Sequence, residues 1–207
     1  MPEIHRQQIT YLRVRDGKLF KSVNKQDIEV FAIKAKLKSI KYTERDVESD
    51  GRKYHLKFYD VVFSDGDTTW SWSADAASFN TLFCLNAFAS LQDINSDIIF
   101  RPYLNKKQKT NIAVEENIGS DDRGTLVKGK YSMDEIPQRE PVIVKGKHFE
   151  VNGVKQWNWE PVEQFIKKLA DEISSKLGNS VTHDYEEYDD DDNSAEIEEI
   201  FAGVESA

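Results

Sequence analysis

Hydrophobic and polar positions alternate with period two over much of the N-terminal half of the chain, and side chains two apart share one face of a strand. Ile9 to Val14 predicts a short strand, and Asp16-Gly17 followed by Lys18-Leu19-Phe20 predicts a tight turn into a second. The longest signal runs from Ile28 to Lys41, where Phe31, Ile33, Ala35 and Leu37 take one parity and Lys34, Lys36 and Lys38 the other. One face is expected to be core and the other a row of lysines. Glu44 to Arg52 reads as a charged loop closing on Asp50-Gly51. Beyond it Lys53 to Phe63 is strand-like, with Tyr54, Leu56 and Phe58 opposed to His55, Lys57 and Tyr59. Ser64-Asp65-Gly66-Asp67 then turns the chain into Thr68 to Ser73, with Trp70 and Trp72 on one face.

The period changes at Ala74. Phe79, Leu82, Phe83, Ala87 and Leu91 fall at helical intervals, predicting a helix that Ser73 caps and that runs to Ile94. Ile98 to Leu104, the basic loop Asn105-Lys106-Lys107-Gln108-Lys109 and Thr110 to Val114 make a second hairpin, with Pro102 marking an edge or a bulge. Leu126 to Tyr131 and Pro141 to Lys145 read as short strands. Trp157 and Trp159 read as structural residues before a last helix, Val162 to Leu177, ended by Gly178-Asn179. Short turn-separated strands with one helix between the third and fourth long ones indicate a mainly β chain with some α+β content. The expected architecture is an OB-fold-like antiparallel barrel with one inserted helix and a C-terminal helix.

Charge divides the chain. Of its 207 residues 28 are Lys or Arg and 37 Asp or Glu, a formal net charge of −9. Asp184 to Ala207 holds 11 of the acidic residues and no Lys or Arg, so residues 1 to 183 carry 28 basic and 37 − 11 = 26 acidic ones, or +2. Residues 1–182 are expected to form one nucleic-acid-binding domain and residues 183–207 a disordered acidic tail, because like charge there outweighs any apolar burial. The lone cysteine, Cys84, lies in an apolar run and supports neither an internal disulfide nor a cysteine zinc site. With no apolar run long enough for a membrane span and no secretory signal in Met1 to Thr10, a cytoplasmic location is expected.

Catalytic patterns are weak. Gly124-Thr125-Leu126-Val127-Lys128-Gly129-Lys130-Tyr131 matches a phosphate-binding P-loop except at Tyr131, where Ser or Thr should hold magnesium, and no helix pattern follows. His5, His55, His148 and His183 are scattered and form no metal-ligand spacing. Asp65 and Asp67 read as turn chemistry, although with Glu44 they would suit a magnesium-dependent nuclease. An enzyme, a cofactor and a metal site are therefore not expected.

A binding pattern is stronger. Single-stranded nucleic acid is held by cations that track its phosphates and by aromatic faces on which its bases stack. The strands interleave both types: Lys34, Lys36 and Lys38; Lys57 and Tyr59; Trp70 and Trp72; then Arg101, Tyr103, Lys106, Lys107 and Lys109. Exposed lysines also protect strand edges, and tryptophans also fill cores, so the repetition over neighbouring segments carries the argument rather than any one residue. In the tail, Asp189, Asp190, Asp191 and Asp192 form a tethered polyanion that can occupy a cationic groove until nucleic acid displaces it. Ile197, Ile200, Phe201 and Val204 follow at helical spacing and would suit docking in a partner's groove.

On these residues, the basic and aromatic strands of 28–114 and the tail of 184–207, the chain resembles replicative single-stranded DNA-binding proteins of the phage-encoded type. The resemblance implies an OB-fold body, sequence-independent coating of single-stranded DNA (or RNA) in replication, recombination and repair, a host-cytoplasm location, and a tail that restrains DNA binding and recruits polymerase, helicase or other replication proteins. Tails of that family commonly end on an aromatic residue, whereas Phe201 is followed here by Ala202-Gly203-Val204-Glu205-Ser206-Ala207. The alternative is a protein-interaction module or DNA mimic that acts through the tail while the body binds no nucleic acid.

Overall fold

Asp16 and Gly17 both adopt positive φ, 51° and 71°, the backbone that a two-residue hairpin turn with native strand twist requires. They join β1 (Ile9–Arg15) to β2 (Lys18–Val23), and β3 (Gln26–Val30) adds antiparallel to β2. In this computed structural model the described residues are 9–24, 26–49, 52–117, 124–145, 147–178 and 182–187. The chain continues through a meander of β4 (Ile33–Ser49), β5 (Arg52–Ser64) and β6 (Thr69–Asp75) to α1 (Phe79–Phe88). Next come β7 (Asp97–Leu104), β8 (Thr110–Asn117) and the short β9 (Thr125–Leu126), and later α2 (Glu160–Lys176).

The chain is mainly β, and its strands form one mixed sheet in the order β3-β2-β1-β6-β5-β4-β7-β8-β9. β1 runs parallel to β6, and the strand Thr182–Glu187 runs parallel to Lys41–Asp46 of β4. The sheet is therefore not the closed antiparallel barrel expected: β1 takes the free edge of β6, and no ladder among the described residues joins the two ends. The sheet does curl. The Gly17 N–H donates to Thr110 Oγ1 at 2.9 Å, and a Cβ on Gly17 would come within 2.6 Å of the Leu104 backbone nitrogen. That close approach brings the β1–β2 turn against the base of the β7–β8 loop.

Several boundaries differ from the sequence expectation. The strand predicted from Ile28 breaks at Phe31 and Ala32, because β3 pairs with β2 while β4 pairs with β5; parity is not carried across, and Phe31 is 83% exposed instead of in the core. The charged stretch Glu44 to Arg52 is not a loop. Its charges meet partners across the β4–β5 ladder, Glu44 opposite Lys57, Asp46 opposite His55 and Glu48 opposite Lys53, so the strands run on to Ser49 and from Arg52. The helix starts after Ser78, whose Oγ accepts from the Thr81 N–H at 3.1 Å, and not after Ser73, which remains in β6 opposite Asp60. It stops at Phe88 because Glu116 folds the next loop back, accepting from the N–H groups of Gln92 (3.2 Å) and Asp93 (2.8 Å). Thr182–Glu187, mostly assigned to the disordered tail from its charge, has strand backbone along β4.

Between the curled sheet and the two helices lies the core. Phe63 meets Phe88 at 6.1 Å and Phe100 at 5.3 Å between ring centroids, and Leu82, Cys84 and Leu85 of α1 are fully buried. α2 buries Val162, Ile166, Leu169, Ala170 and Ile173, one stripe of an amphipathic helix, and packs on α1. Gly178, with φ 73°, closes it. No helix among the described residues is long and apolar enough to cross a membrane.

Candidate nucleic-acid interface

Strand register places a strip of mostly short side chains on the sheet face opposite the core. Ile9 stands opposite Thr69, Thr69 opposite Ser64 and Ser64 opposite Lys36; one row on, Tyr11 stands opposite Ser71, Ser71 opposite Val62 and Val62 opposite Ser39. On this face the middle strands supply Ser64, Thr69, Ser71 and Ser73 together with Val62 and Asp60; Ser64 and Ser71 are buried, and Asp60 accepts from Ser73 Oγ and from Thr43 Oγ1 (2.8 Å). Basic residues flank them on both sides: Lys34, Lys36 and Lys38 on β4, Arg13 and Arg15 beside Tyr11 on β1. Three strand spacings separate β1 from β4, roughly 14 Å. An irregularity between Leu37 and Ser39 inserts Lys38 as an extra residue, so Ile40 faces the core and Lys41 follows the outward side.

The predicted binding residues divide. Lys34, Lys36 and Lys38 are exposed on the strip, and Lys106, Lys107 and Lys109 are exposed on a β7–β8 loop whose backbone is held by Asn105 Oδ1, which accepts from the N–H groups of Lys107 (2.8 Å) and Lys109 (3.1 Å). Tyr103 is 39% exposed on the same outward parity as Arg101. Arg101 donates from Nη2 to Glu115 Oε1 at 2.7 Å and lies over the Phe31 ring at 5.6 Å.

Four residues do not join the strip. Tyr59 and Trp72 are core residues, with Tyr42 5.3 Å from the Tyr59 ring and Phe100 5.1 Å from that of Trp72, so neither offers a stacking face. Trp70 shares their inward parity and packs half-buried against the core. Lys57 faces the helix layer, where Nζ lies 3.4 Å from Glu163 Oε2 of α2. Period two correctly put Trp70 and Trp72 together, but on the face that the helices cover. The tail residues Asp189, Asp190, Asp191, Asp192, Ile197, Ile200 and Phe201 lie outside the described residues.

Sequence reasoning passes over Tyr11, Arg13 and Arg15, and sets the exposed Phe31 in the core. Tyr11 is 57% exposed, Arg13 Nη1 lies 3.4 Å from Asp27 Oδ2, and Arg15 lies over Phe20 at 5.1 Å. The available signal was the i, i+2, i+4 spacing of Tyr11, Arg13 and Arg15, the same one that marked the β4 lysines.

On the inward face of the β4–β5 ribbon, Tyr42 donates to Glu44 Oε1 at 2.6 Å, and the His55 ring lies between Glu44 Oε2 (3.4 Å from Nε2) and Asp46 Oδ1 (2.7 Å from Nδ1). Burial, with the adjoining Glu44 carboxylate, pushes the Tyr42 hydroxyl well above its ordinary pKa; the Tyr42 hydrogen bond holds Glu44 below the usual carboxylate range. The P-loop-like run is extended and clamped to α1: Asn86 accepts from the Tyr131 N–H and donates to the Tyr131 carbonyl, each at 2.9 Å. Asp65 Oδ1 accepts from the N–H groups of Asp67 (3.0 Å) and Thr68 (2.8 Å), a side-chain-closed turn. Among the described residues no group of three His, Cys, Asp or Glu side chains is placed to hold a metal ion. No family model, curated protein or solved structure matches the chain.

Proposed function

We propose that this protein binds single-stranded DNA without sequence readout in replication, recombination and repair, and that its acidic tail restrains that binding and recruits replication proteins. The observation that carries the reading is the outward strip: basic residues of β4 (Lys34, Lys36, Lys38) and β1 (Arg13, Arg15) on either side of the short side chains of β5 and β6, with the exposed ring of Tyr11 at one edge. Phosphates are held by the cations and a base stacks on the ring, and neither contact depends on which base is present. In this reading the scaffold is an opened variant of the OB-fold. The β4–β5–β6 meander, α1 and the β7–β8 hairpin returning to β4 follow OB order, and the Lys106–Lys109 loop falls where that fold carries a nucleic-acid-binding loop.

The test is a titration of the full chain with a single-stranded oligonucleotide and with its duplex at two salt concentrations. Preferential single-strand binding that weakens steeply with salt, and weakens for every sequence alike when Lys34, Lys36 and Lys38 are changed to Glu, supports the reading. Neutralising Asp189 to Asp192 as Asn should tighten binding. If no oligonucleotide binds at any salt concentration, the reading is wrong.

A further inference from the structure

An open cleft of about 1010 Å³ lies away from the strip, between the start of α2, the 140–142 segment and Lys57. Trp157 and Trp159 line it together with Glu140, Glu160 and Glu163. Lys57, the cation of the lining, is already within 3.4 Å of Glu163. With Arg139 included, three carboxylates and two cations surround the two indole rings, and Glu140 and Glu160 give the cleft a negative excess that favours a positive side chain over a phosphate. The protein's own chemistry shows what those rings accept: the Arg139 guanidinium lies 4.4 Å from the centre of Trp157 and 5.2 Å from that of Trp159. Trp159 also packs against Phe79 at 5.1 Å, and Trp157 meets His148 in a T-shaped contact at 4.8 Å. Pro141 and Val142 form one wall, and the next two residues, Ile143 and Val144, are 55% and 46% exposed.

We infer that this cleft is a docking site for an arginine-bearing segment of a partner protein. A guanidinium stacks on the indoles and pairs with Glu140 or Glu160, and apolar neighbours of that arginine lie on Ile143 and Val144. The site is separate from the nucleic-acid strip and does not depend on it.

The probe is a short peptide alternating arginine and valine, with its citrulline counterpart as the uncharged control, added to the full-length protein while the indole N–H resonances are followed. The arginine peptide should shift the Trp157 and Trp159 resonances and the citrulline peptide should not. Glu140→Gln with Glu160→Gln should weaken the response roughly tenfold, in line with the loss of charge-assisted hydrogen bonds. Changing Asp189 to Asp192 to Asn should leave those shifts in place. Indoles that do not move, that respond equally to citrulline, or whose shifts vanish with the Asp189 to Asp192 change would overturn the inference. So would a single-stranded oligonucleotide that moves the same two indoles.

Discussion

Arg101 and Glu115 meet across the β7–β8 ladder with Nη2 and Oε1 2.7 Å apart, so a cation predicted to hold phosphate is partly neutralised by its own sheet. Under the proposed function, nucleic acid competes with Glu115 for that guanidinium. Glu115→Gln should accordingly tighten single-strand binding by roughly two- to fivefold at low salt, with less gain at high salt. Fluorescence titration of both proteins at two ionic strengths checks this, and unchanged affinity would place Arg101 outside the contact.

Trp72 and Tyr11 should separate stability from binding. Removing the buried indole of Trp72 as Ala leaves a cavity against Phe100 and should cost about 3–5 kcal/mol of folding stability, read by denaturant unfolding. Tyr11→Ala removes a ring that is 57% exposed; it should leave the unfolding midpoint nearly unchanged and weaken oligonucleotide binding by about 1–3 kcal/mol.

These two residues also mark how far the sequence could be read. Alternation located most of the strands, the Asp16-Gly17 turn and the basic β7–β8 loop, because each depends on neighbours close in the chain. It cannot say which face the helices cover, so alternation alone sets both tryptophans on the binding face, whereas Trp72 is buried in the core and Trp70 packs half-buried against it. Nor could it show that β1, still paired with β2 in its hairpin, would use its other edge to pair in parallel with β6, the contact that takes up the edge of β6 and brings Tyr11 to the strip. Phe31 failed for a related reason: a change of ladder partner resets parity, and nothing local announces it.

Glu44 should make stability pH-dependent. Its folded pKa is lowered, first by the Tyr42 hydroxyl, so its contribution is present above the ordinary carboxyl value of 4.5 and is lost as pH falls through the lower folded value. Thermal unfolding of the wild type and Glu44→Gln across pH 3–7 should show a gap near neutrality that closes in acid. A gap that stays constant with pH would remove the carboxylate from the account.

Gly129 should resist substitution. A Cβ there would lie 2.3 Å from Asn86 Nδ2, and Asn86 cannot step aside without releasing its bonds to Tyr131. Gly129→Ala should destabilise the fold by about 1–3 kcal/mol through overpacking, measured by denaturant unfolding. An unperturbed midpoint would mean that the clamp yields.

Opposite the edge that pairs with β5, the seventeen residues of β4 serve two further neighbours in turn, β7 along Ile33–Lys36 and the strand Thr182–Glu187 along Lys41–Asp46. Cutting the chain ahead of Thr182 therefore does more than discharge it. The cut bares a row of backbone donors and acceptors on β4, the kind of open margin along which one molecule zips onto another. A truncated protein would tend to self-associate, and tighter retention of DNA by such a species would report avidity between copies as readily as relief from the tail. Neutralising the aspartates in place keeps the margin covered and separates the two effects.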